Sequence, residues 1–302
     1  MATIPGGSGT GAPPVVVDLG GGSQDVTIAG AAGAILNLTA GSGSGSGSDS
    51  ISGSGISDSI IFAQTGSVDV SITDAASTSV YGGSGNDTVA VGGSLNTISL
   101  GTGDNTATVD GNQNLIQSSG TGTTNVTISG GANTVNGAGG DDLVDDRTGH
   151  SSKIATLQGN DTVFAGNGDT VLGGDGDDRL DGRFSLGAKM SGDAGNDVLI
   201  SGQSSTMAGG AGNDSFEFSA GFGSDLITDF QVDGNAAGTD SLLFAAGTYG
   251  GGVSVTSVSD IISHATVSGT GVKIALGTDI IKISGITLAE LTLNQDLYIK
   301  VI

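Results

Sequence analysis

Apolar side chains return along this chain in short runs at a nearly constant step. They appear as VTI at Val26, ILNL at Ile35, SIS around Ile51, SII around Ile60 and VSI around Val70. They continue at Val80, Val89, Ile98, Ala107, Leu115, Val126 and Val135, about nine residues apart. Within each run apolar and polar positions alternate, the mark of a half-buried strand. Between runs stand glycine, serine, asparagine and aspartate, which make turns. Strands this short at this period leave no room for ordinary hairpins. The pattern predicts an all-β chain, a right-handed parallel β-roll or β-solenoid in which each half-turn is one strand and one turn.

The same step runs into a stretch with a stricter consensus. From Gly137 to Glu217 the chain reads GAGGDDLV, TLQGNDTVF, GGDGDDRLD, GDAGNDVLI and GGAGNDSFE, opening at Gly137, Thr156, Gly173, Gly192 and Gly209. Each copy is a glycine-rich loop, an aspartate and a three-residue strand. Alternation turns the middle residue of the triplet inward, giving Leu143, Val163, Leu180, Leu199 and Phe216 as candidate core positions. Glycine lets the backbone take positive φ and approach a ligand closely, and aspartate keeps its carboxylate near the turn. Taken alternately, the loops put Asp49, Asp87, Asn105, Thr124, Asp141, Asp161, Asp178, Asp197 and Asp214 in equivalent places along one edge. The loops between them, such as GGSLN at Gly92, DGNQN at Asp110 and SGQSST at Ser201, carry few carboxylates. That second edge is expected to be held by hydrogen-bonded turns.

GGSGNDTVA at Gly82, GGDGDDRLD and GGAGNDSFE resemble the nonapeptide GGxGxDxUx of the RTX, or hemolysin-type calcium-binding, repeat family. LITDF after the last copy resembles the segment that follows such arrays, and Asp296 followed by LYIKVI is similar to the C-terminal signal of type I secretion substrates. The resemblance implies several calcium ions, export through that C-terminal signal and folding outside the cell. A hard cation taking about 6 to 8 oxygens needs carboxylates and backbone carbonyls together. The implied ligand loops are Gly137, Gly139 and Asp141; Gly159 and Asp161; Gly173, Gly174, Gly176 and Asp178; Gly192, Gly195 and Asp197; and Gly209, Gly210, Gly212 and Asp214, with Asp87 as an isolated earlier site. Asn105 and Thr124 replace carboxylates, so little metal is expected around them. The resulting division is a flexible arm over 1–14, a metal-poor solenoid over 15–136, the calcium roll over 137–220 and a β-rich cap over 221–302, with one helical segment at Ser257 to Ala265.

Composition narrows the function. Among 302 residues there are 58 glycines, no cysteine and a formal net charge of -23. Glycine in fixed register is structural here, and without disulfides an extracellular chain needs another source of rigidity. So acidic a chain repels nucleic acid phosphates, and no apolar run of about 20 residues marks a membrane span. The opening residues lack the basic and apolar regions of a Sec-type signal. Only His150 and His264 are present, and neither HExxH nor GxSxG occurs, so the chain is read as a non-enzyme. Arg147, Lys153, Arg179, Arg183 and Lys189 read as surface partners of nearby aspartates. The chain is nearly all repeat and cap, which favours a secreted structural protein assembling with copies of itself into a surface layer or biofilm matrix. The alternatives are an adhesin for cell-surface polysaccharide and, behind it, a polysaccharide-modifying enzyme.

Overall fold

A computed structural model describes residues 67–302, except 233–237 and 294, together with the segments 2–5, 16–18, 25–29, 35–38, 49–54 and 60–63. It divides into two compact units, Met1–Lys153 and Ile154–Ile302. The division falls inside the stretch expected as a single calcium roll.

In the first unit, successive strands alternate between two parallel sheets. Val68–Ala76, Thr88–Ser94, Asn105–Asp110, Thr124–Gly131 and Leu143–His150 follow one another in the first sheet. Ser79–Tyr81, Thr97–Gly101, Leu115–Ser118 and Thr134–Asn136 form the second. This is the strand-turn-strand coil that the step of nine encodes. Register stacks like on like, so Val70, Val89, Ala107, Val126 and Val144 make one buried column. Val80, Ile98, Ile116 and Val135 make the facing column. Each apolar side chain so buried stabilises the coil by roughly 1.5–3 kcal/mol, and β-branched residues suit a pleated surface.

The N-terminal expectation needs one correction. Ala2–Pro5 was expected in a flexible arm, yet it is a strand paired in parallel with Asp25–Ala29, Ile4 lying opposite Ile28. ATI alternates apolar and polar residues just as the later runs do, a signal hidden by the Gly/Pro/Ser-rich residues behind it. The rest of that arm lies outside the described residues, as does the side chain of Asp49.

The second unit continues the same logic with larger side chains. Val163, Leu180, Leu199, Phe216, Leu242 and Ile299 form a register column in its first sheet. Val171, Met190, Met207, Ile227 and Ile283 face them from its second. After Phe218 the parallel rule relaxes: Asp279–Ile283 still joins the second sheet parallel to Ser224–Ile227, but Gly271–Leu276 and Ala265–Ser268 follow it as successive antiparallel neighbours. Phe218, Phe222, Phe244 and Tyr249 pack edge-on or stacked, with ring centroids 5.1 Å apart for Phe218 and Phe222 and 5.3 Å for Phe218 and Phe244. The expected helix is Val258–Ser263, capped by Ser257, whose side chain accepts from the Asp260 N–H while Asp260 returns the bond. The last strand, Ile299–Val301, pairs in parallel with Ser241–Phe244, so the apolar tail is part of the sheet.

Glycine is obligatory where loops stack. Gly195 (φ 143°) and Gly212 (φ 142°) each lie so close to the carbonyl of the loop before, Gly176 and Gly195 respectively, that any Cβ would overlap it.

Phe216 is fully buried, between Leu199 and Leu242 and 6.0 Å from the Phe230 ring, whereas Phe184 is 69% exposed. Phe216→Ala is expected to cost about 3–5 kcal/mol and Phe184→Ala less than about 0.5 kcal/mol, as read by urea denaturation. Similar losses at the two sites would contradict the column.

Candidate metal centre

Along one edge of the coil in each unit, the inner position of most loops is an aspartate whose carboxylate accepts from the backbone of the loop before. In the second unit the Asp161 N–H donates to Asp178 Oδ1 at 2.8 Å, the Asp178 N–H to Asp197 Oδ1 at 2.8 Å, and the Asp197 N–H to Asp214 Oδ1 at 2.9 Å. The Asp214 N–H extends the series to Asp240 Oδ1 at 3.1 Å. In the first unit the Val68 N–H donates to Asp87 Oδ1, and the Asp87 N–H to Asn105 Oδ1. One oxygen per residue thus carries the ladder. The other Oδ2 atoms of Asp87, Asp178, Asp197 and Asp214 are buried and have no hydrogen-bond partner among the described residues. A buried carboxylate oxygen left in this state is costly.

The loop glycines shape the space around those atoms. A Cβ at Gly82, Gly173, Gly192 or Gly209 would overlap the Oδ2 of Asp87, Asp178, Asp197 or Asp214, five residues on. The first glycine of the motif therefore keeps the second oxygen accessible to whatever fills the turn. Gly159, Gly174, Gly176, Gly195, Gly210 and Gly212 all hold positive φ.

Asp141 is corrected by one residue. Asp141 is exposed, while Asp142 is buried, accepts the Thr124 N–H on Oδ1 at 2.7 Å and takes the Ala138 N–H on Oδ2 at 3.2 Å. Val144, not Leu143, lies opposite Val126 in the core column, and Leu143 is exposed. GAGGDDLV offers two aspartates followed by two aliphatics, and a slip of one exchanges the faces of both pairs. The flanking glycines Gly137 and Gly139 remain in that loop. Asn105 and Thr124 hold the inner position in neutral form. The Asn105 amide donates to Gly103 O and the Thr124 hydroxyl to Ser118 Oγ, so both are satisfied within the protein.

A second ladder escaped the sequence reading. Just before each inner aspartate, Asn160 Oδ1 accepts from the Asp177 N–H, Asp177 Oδ1 from the Asn196 N–H, Asn196 Oδ1 from the Asn213 N–H, and Asn213 Oδ1 from the Thr239 N–H. The signal was the doublet ND or DD in every copy. Asp240 was also missed, although GTDSLLF keeps the spacing of aspartate to inward apolar residue found in GNDSFEF. The opposite edge bears out the expected hydrogen-bonded turns: Asn96 Oδ1 accepts from Thr78, Asn114 Oδ1 from Asn96 and Asn133 Oδ1 from Asn114. In the second unit Asp225 is buried and binds the Ser201 hydroxyl and the Ser205 N–H.

Among the described residues, no three acidic or histidine side chains converge on one point. Each loop brings one inner carboxylate, so backbone carbonyls must supply the larger share of any coordination shell. Arg147 is paired with Asp145, and Arg183 and Arg179 with Asp181, the surface pairing expected of them. His264 caps its helix. Its Nδ1 lies 2.8 Å from the Asp260 carbonyl oxygen and 3.0 Å from Ser263 Oγ. No helix among the described residues is long and apolar enough to cross a membrane.

No family model matches the sequence, and no curated protein matches it. Among solved structures the chain is similar to the crystal structure of extracellular lipase LipA from Serratia marcescens, with a TM-score of 0.25 and 19% identity. The match covers 67% of this chain and 42% of that one, so the chain spans less than half the length of that protein.

Burial pushes Asp87, Asp178 and Asp197 up to about 7, against the pull of the backbone N–H groups that bind them, and nearby carboxylates add to the rise. Asp214 is raised for the same first reason. The folded, metal-free chain therefore holds protons that the unfolded chain has released between about pH 4 and 7, and its stability falls as pH rises through that window. In excess chelator, Tm is expected to be higher at pH 5.5 than at pH 8. A Tm that climbs with pH would show that these groups are ionised in the folded, metal-free coil.

Proposed function

We propose that this chain is a secreted calcium-binding β-roll whose coil is completed by metal outside the cell and which acts as a structural, self-associating protein. The observation that carries this reading is the series of buried aspartate Oδ2 atoms at Asp178, Asp197 and Asp214, each without a protein partner beside a glycine that leaves it uncovered. A divalent cation would supply the missing positive charge and accept these oxygens. Asp178, Asp197 and Asp214, with the carbonyls of the Gly173, Gly192 and Gly209 loops, are the residues that would hold it, and Asp87 is the corresponding group in the first unit. Calcium suits the donor set, because hard carboxylate and carbonyl oxygens are all that the loops provide.

Coupling of metal to folding follows from electrostatics. Ionised carboxylates stacked one turn apart repel when bare, so the neutral pH of an extracellular medium disfavours the empty coil and favours the loaded one. A chain exported from a calcium-poor compartment would then remain unfolded until it meets the ion. Self-association draws on the strand edges. Among the described residues of the first unit, Ala2–Pro5 pairs with Asp25–Ala29 and Val16–Asp18 with Ile35–Leu38, so each described sheet has a terminal parallel strand with one unpaired side. An open edge is a template for another strand, and a head-to-tail contact of this kind propagates rather than closes.

At a hundred times its dissociation constant, each bound ion stabilises the fold by about 2.7 kcal/mol. Millimolar calcium is expected to raise Tm by about 10 °C or more relative to chelator, with a gain in β-sheet circular dichroism. The double substitution Asp178→Asn/Asp197→Asn should lower the calcium stoichiometry and most of that gain, while Asp110→Asn, exposed on the other edge, leaves both unchanged. Identical melting in calcium and chelator would overturn the metal reading. A monomer by light scattering under both conditions would overturn self-association and leave the metal reading standing.

A further inference from the structure

The outer face of the second sheet in the Ile154–Ile302 unit carries a row of lysines that the calcium edge does not use. Register places Lys189 opposite Thr206, Thr206 opposite Leu226, Leu226 opposite Lys282, Lys282 opposite Lys273 and Lys273 opposite Thr266. The six residues therefore form one line running across the strands. Lys273 and Lys282 are direct cross-strand neighbours, an arrangement in which like charges oppose each other and cost stability. The chain has 31 acids and only 8 basic residues, yet none of these three lysines has an ion pair among the described residues. The arginines of the same chain all sit against aspartates. Lysines 273 and 282 also flank a cleft of about 340 Å3 whose rim carries the hydroxyls of Ser204, Thr206 and Ser224. The one acid lining it, Asp225, is buried and has both oxygens committed, to Ser201 and to the Ser205 N–H.

We propose that this row is a binding surface for an acidic polysaccharide, with the carboxylates of the glycan meeting Lys273, Lys282 and Lys189 and its hydroxyls meeting the serine and threonine rim. The spacing favours a sparse polyanion. Strands lie about 4.8 Å apart, so Lys282 and Lys273 form a close pair and Lys189 stands about 14 Å away, three strands over. A duplex carries a charge roughly every 1.7 Å and would bring many phosphates against a strongly acidic protein. Single-stranded nucleic acid is held by aromatic stacking, and the row has no aromatic residue. Hydroxyls between separated ammonium groups match a sugar chain with occasional carboxylates.

The test uses the full chain, loaded with calcium and freed of excess ion, in about 50 mM salt. Hyaluronan serves as the carboxylate polysaccharide, with neutral dextran, dextran sulfate and duplex DNA as comparators. The calcium-loaded protein is expected to bind hyaluronan and not neutral dextran. Lys273→Gln/Lys282→Gln should weaken hyaluronan at least tenfold and Lys189→Gln by a smaller factor. Lys300→Gln, exposed on the other sheet, should leave the affinity unchanged. Because the double variant removes a like-charge pair, its Tm and calcium response should be equal to or above those of the parent, which separates lost binding from lost folding. Equal binding by parent and double variant, equal loss in Lys300→Gln, no hyaluronan binding, or tighter binding to DNA or dextran sulfate than to hyaluronan would each overturn the proposal. None of these outcomes bears on calcium-dependent folding.

Discussion

A buried carboxylate that is half satisfied governs this protein. At Asp87, Asp178, Asp197 and Asp214 the inner aspartate gives one oxygen to the backbone N–H of the loop before it, which fixes the spacing of the coil along that edge. The second oxygen of these four is driven into the same dry turn with no hydrogen-bond donor among the described residues. These two facts pull against each other: the ladder needs the carboxylate inside, and burial penalises its charge. Protonation relieves the conflict in acid. At neutral pH a cation would do so under the proposed function, and the surrounding glycines leave the second oxygen uncovered.

The rest of the fold makes this placement unavoidable. Columns such as Leu180, Leu199 and Phe216 lock the strand register on one side of the turn, and the outer ladder through Asn160, Asp177, Asn196 and Asn213 locks it on the other. Between two fixed rails the inner aspartate has little freedom to swing out to solvent. The opposite edge meets the same geometric demand with Asn96, Asn114 and Asn133, neutral amides that carry a ladder without leaving a charge behind. An amide is sufficient to carry the backbone ladder, so the ladder alone does not account for the unpartnered second oxygens of Asp178, Asp197 and Asp214.

Most of the architecture was legible because a step of nine leaves one solution for strand order and sheet composition. Val26, Ile35, Ile51 and Ile60 all fall in strands, although their loops lack the consensus, since alternation alone is enough to place them. The site was legible where glycine and aspartate keep register, from Asp161 to Asp214. It failed at GAGGDDLV, where sequence supplies two equivalent aspartates and only the pairing of Val144 with Val126 decides between them. Asp240 was hidden because its repeat is detached from the array by residues 219–238, a separation that periodicity cannot bridge. The basic row across Lys189, Lys282 and Lys273 was invisible for a related reason. Its members come from strands far apart in the chain, two of them antiparallel, and no local pattern joins them.

How the ladder ends explains why the cap has the composition it does. Beyond Asp214 the next rung is Asp240, whose Oδ2 is taken by the Gln231 N–H at 2.8 Å, so this carboxylate lacks the orphaned oxygen of its predecessors. Asp229 accepts the N–H groups of Gly209 and Gly210 at 3.0 Å each, closing the last glycine loop with protein oxygens. With the carboxylates of Asp240 and Asp229 satisfied by protein N–H groups, the stabilisation visible in this region is side-chain packing. The aromatic residues gather here for that reason: Phe216 meets Phe230, and Phe218 stacks on Phe244 beneath Tyr249. The two arrangements are complementary along the chain, turns with an unpartnered carboxylate oxygen where side chains are small and ring packing where the turns are already complete.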